Sequence, residues 1–178
     1  MSIELKSKEI LTNLLSTDPE LVLETIEKIR ESGNRYIMEG LFDLLHVTTF
    51  PEIKKSILNL LSDLKHKESI PLIINAITND KYKDEQKELV ACCWQNGLNY
   101  NEYLSVFIDL VIHESFLTAF EAFTVIENMF GIIPDEVINQ EIIKVKNSIQ
   151  TASEEKTYLL KGLLTIIREI PEEQEFSD

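Results

Sequence analysis

Along most of the chain, apolar residues return every three or four positions, and strict alternation is hard to find. Residues Pro51–Leu64 show the pattern. Ile53, Ile57, Leu58, Leu60, Leu61 and Leu64 fall on one broad face at about 100° per residue, with Lys54, Lys55, Asn59, Ser62 and Asp63 outside that stripe or on its edges. Start signals recur: Asp18 before Pro19, Pro51, Ser69 before Pro71, Pro134, and Ser153 in "TASEEK". Stops stand at Gly33, Gly97 and Gly131. Together they predict ten helices: Lys6–Leu15, Pro19–Glu31, Arg35–His46, Pro51–Leu64, Ser69–Thr78, Asp84–Asn96, Asn101–Ile112, Phe116–Phe130, Pro134–Ile149 and Glu154–Ile170. The connections are short, so neighbouring helices are expected to form antiparallel hairpins.

Every second helix can be laid on the one before. Ile29, Leu61, Cys93 and Ile126 form one column at offsets of 32, 32 and 33 residues. Ile26, Leu58, Val90 and Phe123 form a second with the same offsets. "YIMEGLFDLLH" (Tyr36–His46) lies on "YLSVFIDLVIH" (Tyr103–His113) at an offset of 67. A fixed helical period means one hairpin per repeat, each too small to bury its own apolar face. "SIPLIINAITND" followed by "EQKELVACCWQNGL" resembles a HEAT-like pair, although no arginine opens its second helix and the period is short. That resemblance covers almost the whole chain. It implies an all-α, right-handed α-α superhelix of about five antiparallel hairpins, of the armadillo-type class, with the second helix of each pair lining the concave face. The tetratricopeptide period of about 34 fits the length better, but its Trp-x2-Leu-Gly-x2-Tyr pattern is absent. So is the ankyrin Thr-Pro-Leu-His signature. A nonrepetitive bundle is the remaining architecture.

The 178 residues suffice for one domain, expected over 1–170, with an acidic tail, 171–178, expected to be disordered. Five Gly and five Pro disfavour an all-β design. The net charge is -14, from 17 Lys and Arg against 31 Asp and Glu. Such a chain repels phosphates and anionic lipid, so neither nucleic acid nor a membrane is an expected partner. "MSIELKSKEI" lacks the apolar run of a signal peptide, and two adjacent cysteines make no disulfide framework; both features point to the cytoplasm.

"ELVACCWQNGL" puts Cys92, Cys93 and the single tryptophan side by side. Cys93 stands in a core column. Cys92 aligns with Lys28, Leu60 and Val125 and is expected on the flank. Adjacent helical residues point about 100° apart, so the two sulfurs do not face one ligand, and packing is the expected role of Cys93. His46, His66 and His113 fall at or just beyond predicted helix C-termini, where the helix dipole favours a cation. Glu154–Glu155 and Glu172–Glu173 are neighbours on exposed segments. No glycine-rich phosphate loop, Gly-x-Ser-x-Gly elbow or Cys-x2-Cys pair exists, and neither catalytic residues, cofactor nor metal are expected.

One stretch stands out. Between Lys87 and Lys144 there is no Lys or Arg over 56 residues, which hold nine acids and eight of the 14 aromatics. Phe107, Phe123 and Phe130 are expected in the core. Trp94 lies about 80° off its helix's apolar stripe, and Phe116 and Phe120 share a ridge with Glu127. Aromatics beside carboxylates can hold a Lys- or Arg-bearing peptide. The expected partner-binding residues are therefore Glu88, Trp94, Phe116, Phe120, Glu121 and Glu127. The expected function is a noncatalytic adaptor or scaffold that binds a protein partner, one with a basic segment. The alternatives are an enzyme on a HEAT-like scaffold (a DNA glycosylase, which the charge disfavours, or a lyase) and a homo-oligomeric structural protein.

Overall fold

A computed structural model describes residues 3–29 and 35–169. The expected stop at Gly33, the pair Glu172–Glu173 and the tail 171–178 lie outside the described residues. Those residues form ten α-helices and no strand: α1 Ile3–Leu14, α2 Pro19–Ile29, α3 Arg35–Val47, α4 Pro51–Ser62, α5 Ile70–Ile77, α6 Gln86–Asn96, α7 Leu104–His113, α8 Phe116–Glu127, α9 Asp135–Ile149 and α10 Glu154–Glu169. None of them is long and apolar enough to cross a membrane. The odd helices α5 and α7 begin later than their sequence pattern suggests, as does α6. Short 3-10 turns over Lys67–Ser69, Asp80–Glu85 and Asn101–Tyr103 occupy their entries.

The punctuation acts largely as its chemistry dictates. Asp18 Oδ1 accepts the Glu20 N–H at 3.0 Å, and Ser153 Oγ accepts the Lys156 N–H at 3.4 Å. Ser115 caps α8 by accepting the Thr118 N–H at 3.3 Å. Ser69 makes no such bond; it is buried at the end of a 3-10 turn. Gly97 closes α6 with φ 68°, in the left-handed region. A Cβ there would meet nothing within 4 Å, so only the backbone conformation opposes a side chain. Gly97→Ala is therefore expected to cost about 1 kcal/mol, read from the urea midpoint at unchanged m value.

The chain packs as two compact units that divide between Leu98 and Asn99. In the first, α1 packs on α2, α3 on α4 and α5 on α6. The odd helices also touch in series (α1–α3, α3–α5), and so do the even ones (α2–α4, α4–α6). In the second unit α7 packs on α8 and α9 on α10, with α7 against α9 and α8 against α10. Each unit is thus two layers of helices joined by short connections, with the core between the layers.

Burial follows the columns unevenly. Ile29, Leu61, Cys93 and Ile126 are all buried. In the second column Ile26 and Val90 are buried, while Leu58 and Phe123 are half-exposed. The better-buried second column lies one residue earlier: Thr25, Ile57, Leu89 and Ala122. Phe107 is in the core as expected, where its ring meets Tyr100 edge-on at 5.6 Å. Phe130 is not; it sits in the turn after α8 and is 62% exposed. The turn is held from below, because Asn99 Nδ2 donates to the Phe130 carbonyl at 2.7 Å and Asn101 Nδ2 to that of Ile132 at 3.5 Å. Those bonds fix the backbone and leave the ring outside.

Candidate functional site

Helix α8 leaves three large apolar side chains exposed. Ala119, Ala122, Val125 and Ile126 are buried, and Thr118 with them. Phe116 (40%), Leu117 (62%) and Phe120 (51%) remain exposed on the other side. At about 100° per residue Phe116, Phe120 and Glu127 lie within about 40° of one another. Glu121 stands on the edge of the same face and is half-buried, whereas Glu127 is exposed. The reason is compositional. Small alanines at 119 and 122 take up part of the buried side, and Phe116, Leu117 and Phe120 fall on the opposite one. No lysine or arginine occurs in α8.

The first unit holds the other two expected residues. Trp94 on α6 is 38% exposed. Glu88 lies about 120° round the helix from it and is ion-paired with Lys87 at 2.9 Å. Lys87, seven residues before Trp94, shares the tryptophan's side of α6 to within about 20°. The tryptophan's side of α6 thus also carries a cation, about two turns away.

The acidic stretch is also less uniform than its sequence suggests. Lys144 Nζ reaches Asp109 Oδ1 at 2.9 Å and Glu141 Oε2 at 2.9 Å, and Glu141 is only 4% exposed. Lys156 lies close enough to Glu114 to feel its charge. Glu102, Glu127, Asp135 and Glu136 remain exposed. A lysine that closes the stretch in sequence folds back over its acids, which is why sequence distance overstated the field.

No protein-family model matches the chain, and no curated protein matches it. The solved structures similar to it include an engineered protein, a structural genomics target, at 16% identity and a TM-score of 0.45. That match covers 94% of this chain and 82% of the other.

The cysteines are both buried, and this corrects the flank position expected for Cys92. Its column partner Lys28 misled: Leu60 and Val125 in that column are buried. Ser62 Oγ donates to Cys92 Sγ at 3.4 Å, and the Leu58 carbonyl lies 3.6 Å away. Burial foremost pushes the Cys92 thiol up to about 11, against the Ser62 hydrogen bond. Cys93 Sγ turns back to the Leu89 carbonyl at 3.5 Å.

Sequence reasoning missed a polar network in the first unit. Glu85, 8% exposed, receives His46 Nδ1 at 3.0 Å, with Lys54 Nζ at 3.8 Å. One turn along α3, Asp43 Oδ1 accepts hydrogen bonds from Lys81 Nζ and from the Tyr82 hydroxyl. Burial pulls the Asp43 carboxyl up, but the bonds from Lys81 and Tyr82 outweigh it and hold it below the usual range. Burial, then the bond to Asp43, raises the Tyr82 phenol. His46 therefore has a specific carboxylate partner besides its place in the last turn of α3. The available signal was weak: "NDKYKDE" breaks the helical period, and its partners lie 38 and 39 residues away.

Proposed function

We propose that the chain is a noncatalytic adaptor that binds a basic segment of a protein partner, with the α8 face as its principal contact. The reading takes the two units as parts of one HEAT-like, right-handed superhelix of five hairpins, a single domain over 1–170, working in the cytoplasm. The carrying observation is the exposed stripe of Phe116, Leu117 and Phe120 beside Glu121 and Glu127, on a helix without a cation. Three large apolar side chains on one helix face are costly to leave in water in a chain of net charge -14. Aromatic rings next to carboxylates suit the long aliphatic stem and charged head of Lys or Arg. Trp94 and Glu88 belong to the reading as a second contact on α6.

A displayed library of random peptides, selected on the full chain, tests it. Enriched peptides are expected to carry Lys or Arg next to apolar residues. Phe120→Ser should weaken their binding by about tenfold at any salt concentration, the scale of one lost hot-spot side chain. Glu127→Lys should slow association and flatten its dependence on salt. Enriched peptides without basic residues, or binding indifferent to both variants, would overturn the proposal.

A further inference from the structure

We propose that the α8 stripe is one wall of a groove whose other wall is α10, and that this groove seats a basic amphipathic helix of the partner. The inference rests on the adaptor reading above and extends its site to a second helix. The two helices pack on each other, and Gly162 shows which sides meet. A Cβ added there would stand 3.4 Å from Cε2 and Cζ of Phe123, so that ring lies against bare α10 backbone. Phe123 is half-exposed and stands about 20° round α8 from Phe116. Tyr158 stands one turn before Gly162, about 40° from it round α10, and is 84% exposed. Phe116 and Phe120 on one side and Tyr158 on the other therefore flank a floor made by Phe123 and Gly162.

Three observations select the occupant. The first is hydrogen bonding. The backbone groups in the middle of α8 and α10 are spent within their own helices. Polar side chains on the rims turn back as well. The Thr124 hydroxyl donates to the Phe120 carbonyl at 3.1 Å, Asn128 Nδ2 to the Thr124 carbonyl at 2.8 Å, and the Thr165 hydroxyl to the Lys161 carbonyl at 3.4 Å. An extended segment would bring unpaired backbone groups onto this aromatic floor, a cost that a helix avoids because its own bonds are closed. The second is charge. Glu127 on α8 and Glu155 and Glu169 on α10 are exposed, and the latter two stand about 20° from Gly162. The cations of α10, Lys156, Lys161 and Arg168, stand about 100–120° from Gly162, and Lys156 Nζ donates to the Val111 carbonyl. Residues 99–178 carry five Lys and Arg against 15 Asp and Glu, so a basic occupant is drawn in and an acidic one repelled. The third is length. From Phe116 to Glu127 α8 rises about 16 Å, or about three turns. The occupant is a helix of that length, apolar at i, i+3, i+4 and i+7 toward the rings and basic along its edges.

The test is fluorescence anisotropy of the full chain with two labelled peptides of about 14 residues and identical Leu and Lys composition. One has its leucines at helical spacing, and the other alternates leucine with lysine, which favours a strand. The helical peptide is expected to bind at least about tenfold more tightly than its isomer. Tyr158→Ala, at an exposed position, should weaken that binding about fivefold with the thermal midpoint unchanged. Glu155→Gln should weaken it by a smaller factor that vanishes at high salt. Phe120→Ser reports on the α8 contact alone. Binding lost with Phe120→Ser but indifferent to Tyr158→Ala and Glu155→Gln overturns the groove and leaves the α8 reading standing, whereas indifference to all three overturns both. Equal binding of the alternating isomer overturns the helical occupant. Sedimentation of the chain without peptide should show a monomer; a dimer that Tyr158→Ala dissociates would make a second copy the occupant and overturn the partner helix.

Discussion

Replacing Lys144 with methionine is expected to lower the unfolding free energy by about 2–3 kcal/mol at neutral pH. Glu141 is 4% exposed, and Lys144 is the cation that meets its carboxylate, at 2.9 Å. Without the ammonium a buried carboxylate is left unpaired, a loss of about 3–5 kcal/mol for a fully buried pair. The Lys144 side chain keeps 37% of its exposure, so water screens the interaction and the expected loss is smaller. Burial depresses the Lys144 amine, but its hydrogen bonds to Glu141 and Asp109 outweigh that and raise it above the ordinary lysine value of 10.5. Its contribution is therefore fully present below that value and is lost as pH rises through the raised one, so urea unfolding at pH 7 reads all of it. The double variant Lys144→Met/Glu141→Leu should recover most of the loss, because removal of both charges leaves no orphan. Asp109→Asn alone should cost under about 1 kcal/mol, since that carboxylate is half-exposed. A Lys144→Met midpoint equal to that of the parent would show that Glu141 finds water or another donor.

Glu141 also shows where reading the sequence stops. The helices were legible because amphipathic periodicity, proline starts and glycine stops are local signals. Pro51 with its stripe of Ile53, Ile57, Leu60 and Leu61 needs no distant residue to be understood, and those four residues are buried. The exposure of Phe116 and Phe120 was legible for the same reason, as a ridge off the core face. Which charges cancel is not local. Lys144 reaches Asp109 across 35 residues, and His46 reaches Glu85 across 39. No period in the sequence encodes either distance. Phe130 failed differently: its apolar neighbours were read as core, but the chain had already left the helix, and asparagine bonds to the backbone decide where that turn lies.

The cysteine pair yields the second large effect, at alkaline pH. At pH 8 Cys92→Ala is expected to cost about 1–2 kcal/mol through a small cavity, the same scale as Cys93→Ala, since both thiols are buried. The difference between parent and variant should then shrink as pH rises. In the unfolded chain the Cys92 thiol ionises around its ordinary value of 9.0, while in the folded protein burial holds it neutral until about 11. Within that window the unfolded state binds fewer protons than the folded one, so folded stability falls as pH rises. The full loss is about 3 kcal/mol above both values, for a shift of about two pH units. Lys81, Tyr82 and Lys144 also titrate at high pH, but they are common to both proteins and drop out of the difference. Urea unfolding of parent and Cys92→Ala at pH 8 and at pH 10.5 therefore isolates the one thiol, and the variant should approach or overtake the parent at the higher pH. A difference independent of pH would mean that Cys92 titrates normally in the folded state. The matching kinetic expectation is that neither cysteine reacts quickly with a disulfide reagent at pH 8, because the attacking species is the thiolate and burial suppresses it. Fast labelling of Cys92 there would put a nucleophilic thiolate at the surface of α6 and make redox chemistry the better account of the pair.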